Sequence, residues 1–154
     1  MRTTYGRVWM SFGLVAALAA PAHTRAQASP DPERAATLEA EAARLQETPS
    51  RQADAASLLL AAAGLRRRED AQARRDLFLA ANLTYQLGDR AGAVAALDSA
   101  GSRALSAGDS VFATEMFANA ASIAQEAGLV DQERRYRSRV AELGVAAARR
   151  RGSS

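Results

Sequence analysis

Three pairs of carboxylates lie close enough in the chain to be considered for acid–base chemistry: Glu39 and Glu41, Glu69 and Asp70, and Asp131 and Glu133. That chemistry needs two carboxyls converging on one pocket, with one pKa displaced toward the working pH. Residues one or two apart on a helix point to different sides, so the spacing assigns these acids to first turns and exposed faces. The only His is His23 and the only Trp is Trp9, and the chain has no Cys and no Lys. From Ser29 onward His general bases, Cys nucleophiles, Lys Schiff bases and the usual zinc ligands are therefore excluded. The glycines read as single helix terminators, which leaves no phosphate-cradling loop, and no Asp/Asn/Gly calcium loop is present. The expectation is a non-enzymatic chain with no catalytic residue, no cofactor and no metal.

Recognition is the chemistry left. The chain has two Asn, Asn82 and Asn119, and both fall inside helical patterns, where Asn is a poor helix former. Arg75, Phe78, Asn82 and Tyr85 follow one another at three- and four-residue steps, and Ser122 and Gln125 continue from Asn119 at the same steps. Asn amides can bond an extended peptide backbone, and Arg75 can add a charge-assisted bond. The competing reading is that both Asn are solvated surface residues.

Charge narrows the partner. All 20 basic residues are Arg, and from Ser29 to Ser154 there are 17 Arg against 17 Asp or Glu. A nucleic-acid binder would show a clear basic excess, so none is expected. Arg66, Arg67 and Arg68 fall at a helix C-terminus, where cations complement the dipole. Asp131–Arg135 and Glu133–Arg137 are acid-first pairs at four-residue spacing, the favourable order. Arg149, Arg150 and Arg151 are expected to add basic charge that could face an anionic partner.

The elements that must position these groups begin after a leader. Met1–Arg7 carries two Arg and no acid, Val8–Ala20 is a 13-residue apolar run, and Ala26-Gln27-Ala28 is a small-x-small end. This three-part order marks residues 1–28 as a signal peptide. The apolar run is too short for the roughly 20 residues that span a bilayer, so the mature form is expected not to cross one. It should be periplasmic or secreted, and the all-Arg usage fits a GC-rich bacterial gene.

Residues 29–148 are of single-domain size, and Ala, the best helix former, supplies 32 of the 126 residues from Ser29 onward. All four Pro lie at or before position 49. The pattern predicts six helices, starting at Asp31-Pro32, Ser50, about Asp70, Arg90, Ser110 and Asp131, with the last ending near Ala148 and residues 149–154 forming a disordered Arg-rich tail. Leu87-Gly88-Asp89, Ala107-Gly108-Asp109 and Ala127-Gly128-Leu129 recur every 20 residues, and Asp89–Gly108 matches Asp109–Gly128 at 7 of 20 positions. Gly88 and Gly108 should end helices in the left-handed conformation, with Asp capping the next helix.

Leu77, Ala80-Ala81, Gly88-Asp89, Ala93, Leu97 and Ala100 follow the small-and-large alternation of a tetratricopeptide repeat, which Leu77–Ala100 resembles. The second hairpin keeps Phe117, Ala120-Ala121 and Ala124, but puts Glu133 and Arg137 where the family has apolar residues. Its period is about 40 residues against the family's roughly 34, and the closing Pro is missing. The resemblance implies an all-α array of antiparallel helical hairpins whose first helices line a groove for a protein or peptide. Helices 3 and 5 would then present Asn82 and Asn119 on one surface. Two functions stay open: an exported interaction module or scaffold, and a structural protein. The structural protein would self-associate as a homo-oligomeric bundle, or rest its Arg-rich C-terminal end on acidic envelope surfaces.

Cleavage is expected after Ala28. N-terminal sequencing of exported material should begin Ser29-Pro30, and a retained Met1 would contradict the leader assignment.

Overall fold

The computed structural model describes residues 29–152, and the expected leader, 1–28, lies outside them. The described chain is all-helical: α1 Pro32–Leu45, α2 Gln52–Leu65, α3 Ala71–Gln86, α4 Arg90–Ser106, α5 Ser110–Glu126 and α6 Val130–Gly152. Each helix packs on the helices before and after it in sequence. Among the described residues no helix is long and apolar enough to cross a membrane.

The starts follow from caps. The Asp31 side chain accepts from the Arg34 amide at 2.9 Å, with Pro32 in the first turn. Asp89 accepts from Gly92 at 2.8 Å and Asp109 from Phe112 at 3.0 Å. Each side-chain oxygen satisfies an amide that the helix itself leaves unpaired. The stops are three copies of one turn. Gly88, Gly108 and Gly128 have φ of 87°, 78° and 69°. Each glycine amide bonds the carbonyl three residues back, and the following amide bonds the one five back: Asp89 to Thr84, Asp109 to Ala104 and Leu129 to Ala124. This is the Schellman pattern, and its left-handed residue is strained for any side chain with a Cβ.

Three ends differ from the sequence expectation: α1, expected to run to near Thr48-Pro49, stops at Leu45. A short 3-10 turn, Pro49–Arg51, precedes α2 and moves its start from Ser50 to Gln52. At the other end α6 continues to Gly152, so residues 149–152 are helix rather than a disordered tail. The three Arg in its last turn complement the dipole, and Arg150 donates to the Ser110 hydroxyl on α5 at 3.3 Å.

The core is made largely of alanine. Of the 25 buried hydrophobic residues among those described, 17 are Ala, and the large ones concentrate on α3 to α6: Leu77, Leu97, Met116, Phe117 and Tyr136 among them. Phe117 and Tyr136 stack with ring centroids 6.0 Å apart and planes 12° apart, joining α5 to α6. Val140 and Leu143 pack on the same cluster, completing the inward stripe of α6.

Gly101 corrects the reading of every glycine as a terminator. It lies inside α4, fully covered, and a Cβ added there would stand 2.8 Å from Phe117 Cε1. The missing side chain is what lets the Phe117 ring lie against the α4 backbone.

Helix propensity alone would make Gly101→Ala stabilising by about 1 kcal/mol. The buried ring reverses the sign: the variant should lose about 1–3 kcal/mol in urea unfolding, the usual cost of overpacking. A stabilised Gly101→Ala would show that Phe117 can yield.

Candidate functional site

The seven residues singled out for recognition lie on α3 and α5. Arg75, Asn82, Ser122 and Gln125 are exposed, and Phe78, Tyr85 and Asn119 are half-buried. The two helices meet at both ends. Near their starts Arg74 lies 3.6 Å from Asp109 and over the Phe112 ring at 5.9 Å. Near their ends the Tyr85 hydroxyl donates to Glu126 at 2.9 Å, and Arg90 stacks on Tyr85 at 4.0 Å while lying 3.8 Å from Glu126. The Glu126 carboxylate, as acceptor and neighbouring charge, holds the Tyr85 hydroxyl above its ordinary pKa.

These contacts define the seam. Phe112, Asn119 and Glu126 are seven apart, two helical turns, and so share the side of α5 that faces α3. Asn119 therefore lies on the seam, and Asn82 lies on the exposed flank of α3 beside it. The cation reaching α5 is Arg74 rather than Arg75, which makes no ion pair among the described residues. Ser122 and Gln125 turn toward α6, where with Ala118, Arg137 and Val140 they line a cavity of about 390 Å³. Arg137 bridges Glu133 at 2.9 Å and donates to Gln125 Oε1 at 3.0 Å. Of the two acid-first pairs expected on α6, this one forms. Arg135 of the other lies over the Tyr136 ring at 4.6 Å and donates to its hydroxyl.

Sequence reasoning missed a second constellation, where α1, α2 and α3 meet. Arg66, nearly buried at the end of α2, lies 2.6 Å from Glu39 on α1, 3.3 Å from Asp70 and 3.8 Å from Asp76 on α3. Asp70 also caps α3 through the Gln72 amide at 2.8 Å. Asp76 is fully buried; its Oδ1 accepts from the Gln72 side chain at 3.0 Å, and its Oδ2, 3.8 Å from Arg66, has no hydrogen-bond partner. Burial, then the Glu39 charge, pushes the Asp76 pKa up to about 6, against the opposing pull of Gln72 and Arg66. Protonation of Asp76 removes its repulsion with the Glu39 charge. One signal was available in the sequence: Asp76 sits beside Leu77 and three residues past Ala73, on the apolar side of α3.

Glu39 and Glu41 diverge as the spacing required, Glu39 facing inward and Glu41 outward. Among the described residues no cluster of carboxylates could hold a metal ion. No family model, curated protein or solved structure matches this chain.

Asp76 titrates near pH 4 when unfolded and near 6 when folded. The folded state thus binds the proton more tightly, and its stabilisation is complete below about pH 4 and lost as pH rises through 6. Between pH 5 and 7.5 the protein should lose about 1–1.5 kcal/mol of unfolding free energy in urea. Asp76→Asn should flatten that slope and match or exceed wild type at pH 7.5. An unchanged slope would place the titrating group elsewhere.

Proposed function

We propose that the chain is an exported, non-enzymatic module that binds a protein or peptide partner on the α3–α5 face, in the manner of a tetratricopeptide array. The observation that carries this reading is the seam itself. Start meets start through Arg74 and Asp109, and end meets end through Tyr85 and Glu126. Two helices in contact at like ends run the same way, and the helix between them in sequence runs back. That order supports antiparallel hairpins whose first helices stand side by side. The three Gly turns, 20 residues apart, support a repeated unit.

The surface so formed has the parts a peptide needs. Asn82 and Asn119 offer amides that can both donate to and accept from an extended backbone. Phe78 and Tyr85 offer aromatic area beside them, and Arg75 a guanidinium for a partner carboxylate. The cavity by Ser122 and Gln125 has room for one apolar side chain. Export through the 1–28 leader would place the module in the periplasm or outside the cell.

Affinity capture from envelope extracts with the mature chain identifies the partner, and calorimetric titration then measures it. Asn82→Ala with Asn119→Ala should keep or raise the melting temperature, since Ala is the better helix former. It should weaken partner affinity about tenfold, equal to ~1.4 kcal/mol. Unchanged affinity would remove this face from the binding surface.

A further inference from the structure

A second surface lies away from the α3–α5 seam, along α2, the turn before α3, and α4. Arg67, Arg68 and Arg103 line a cleft of about 640 Å³, with Ser29 and Pro30 on one wall. It adjoins a cavity of about 400 Å³ that reaches Leu60, Leu77 and Ser99. The two share Gly64, Arg68 and Arg103, so together they form one trough lined by arginines and by the apolar side chains of Leu60 and Leu77. Leu60 is 44% exposed there, a large apolar side chain left open to solvent.

Three observations distinguish this trough from a solvated charged end. The first is an imbalance of charge. Arg67 and Arg68 make no ion pair among the described residues, whereas neighbouring Arg66 is taken up by Glu39, Asp70 and Asp76. Two acids line the trough, Glu69 in the cleft and Asp98 in the adjoining cavity, fewer than its arginines. The second is Arg103. The dipole of α2 accounts for cations on its own last turn, but Arg103 comes from α4. Its guanidinium donates to the Arg67 carbonyl at 3.2 Å, which fixes it over the end of α2 beside two like charges. Burial and the Arg68 charge lower its pKa, partly offset by Asp70 and Glu69, so the cation is held where an added anion would relieve it.

The third is Gly64. Glycine inside a helix costs about 1 kcal/mol relative to Ala, and Gly64 lies within α2. It does not have the positive φ of Gly88, Gly108 and Gly128. A Cβ there would meet nothing within 4 Å, unlike the contact that accounts for Gly101. Gly64 lines both cavities, so a longer side chain at this position would take up space in the trough.

We propose that this trough binds an acidic, extended segment of a partner protein, its carboxylates on Arg67, Arg68 and Arg103 and an adjacent apolar side chain against Leu60. Arg suits this because its planar fork pairs a carboxylate through two parallel hydrogen bonds. Two adjoining cavities, of about 640 and 400 Å³, give more room than a single small anion fills. The charge balance from Ser29 onward, 17 Arg to 17 acids, disfavours nucleic acid, which asks for a broad basic excess.

The test uses fluorescence anisotropy with two labelled peptides of equal length, one of Asp, Glu and Leu, the other of Asn, Gln and Leu. The acidic peptide should bind at least about tenfold more tightly, and added salt should narrow the gap, as expected for partly exposed charges. Arg68→Gln with Arg103→Gln should remove the preference. Gly64→Gln should obstruct the trough, weakening the acidic peptide about tenfold, while the melting temperature holds or rises because Gln is the better helix former. Since that variant changes no charge and gains helix propensity, it separates lost binding from lost folding. Equal binding of the two peptides, or full affinity in Gly64→Gln, would overturn the proposal. So would co-sedimentation of the protein with phosphatidylglycerol vesicles while the acidic peptide shows no binding.

Discussion

The left-handed residue at the end of α3, α4 and α5 is the constraint on which the other features depend. A helix stops where its last carbonyls find partners outside the helical ladder, and the Schellman turn supplies two of them at once. Only glycine takes the required φ without strain. Because these glycines fall at 88, 108 and 128, α4 and α5 have equal lengths, and each chain reversal has the same geometry. Helices of equal length joined by equal turns bring like residues to like heights. The contacts of Arg74 with Asp109 and Tyr85 with Glu126 are consequences of that regularity, as is the placing of Asn119 beside α3. The Asp after Gly88 and Gly108 closes the unit by starting the next helix.

Close approach follows from alanine. Small side chains let helix axes come to the short end of the usual 8–10 Å range, and the few large residues then have to be accommodated individually. Phe117 shows how. It is fully buried, stacked on Tyr136, covered by Arg139 at 5.0 Å, and seated against Gly101. A second packed group, with Ala42, Leu59 and Leu83, joins α1 to α2 and α3. It holds no aromatic residue, and the carboxylates gathered around Arg66 lie at the same junction. The end of the molecule poorest in large side chains is thus the one that relies on buried charge, and a buried charge is tolerated only when paired and hydrogen-bonded.

Much of this was legible in the residues. Asp-Pro, Gly-Asp and the apolar spacing marked six helices and all but three of their ends, because caps and turns act through neighbours in sequence. The ends that moved depended on something else. Pro49 opens a 3-10 turn that delays α2, and the last Arg-rich turn of α6 is tied through Arg150 to Ser110, forty residues back. The stripe from Arg75 to Tyr85, and that from Asn119 to Gln125, were legible as a spacing on each helix. Which side of α3 meets α5 was not, and the structure gives that contact to Arg74. The Arg66 constellation draws Glu39 from 27 residues away, so no local pattern announces it. Gly101 was hidden for the same reason, since its partner ring lies on the next helix.

The alanine core also bears on how the sequence can change. Cores built from Leu and Phe fail mainly by losing volume, when truncation leaves a cavity. Here 17 of the 25 buried hydrophobic positions among the described residues hold the smallest side chain with a Cβ, so little remains to be removed. A single-base change in an alanine codon yields Val, Thr, Ser, Pro, Asp, Glu or Gly. All but Gly are larger, several bring a polar group into a dry contact, and Gly weakens the helix. Inherited variation in this interior therefore meets crowding far more often than vacancy. The compensating changes to look for are reductions in size on the facing helix, as glycine at 101 already provides for Phe117.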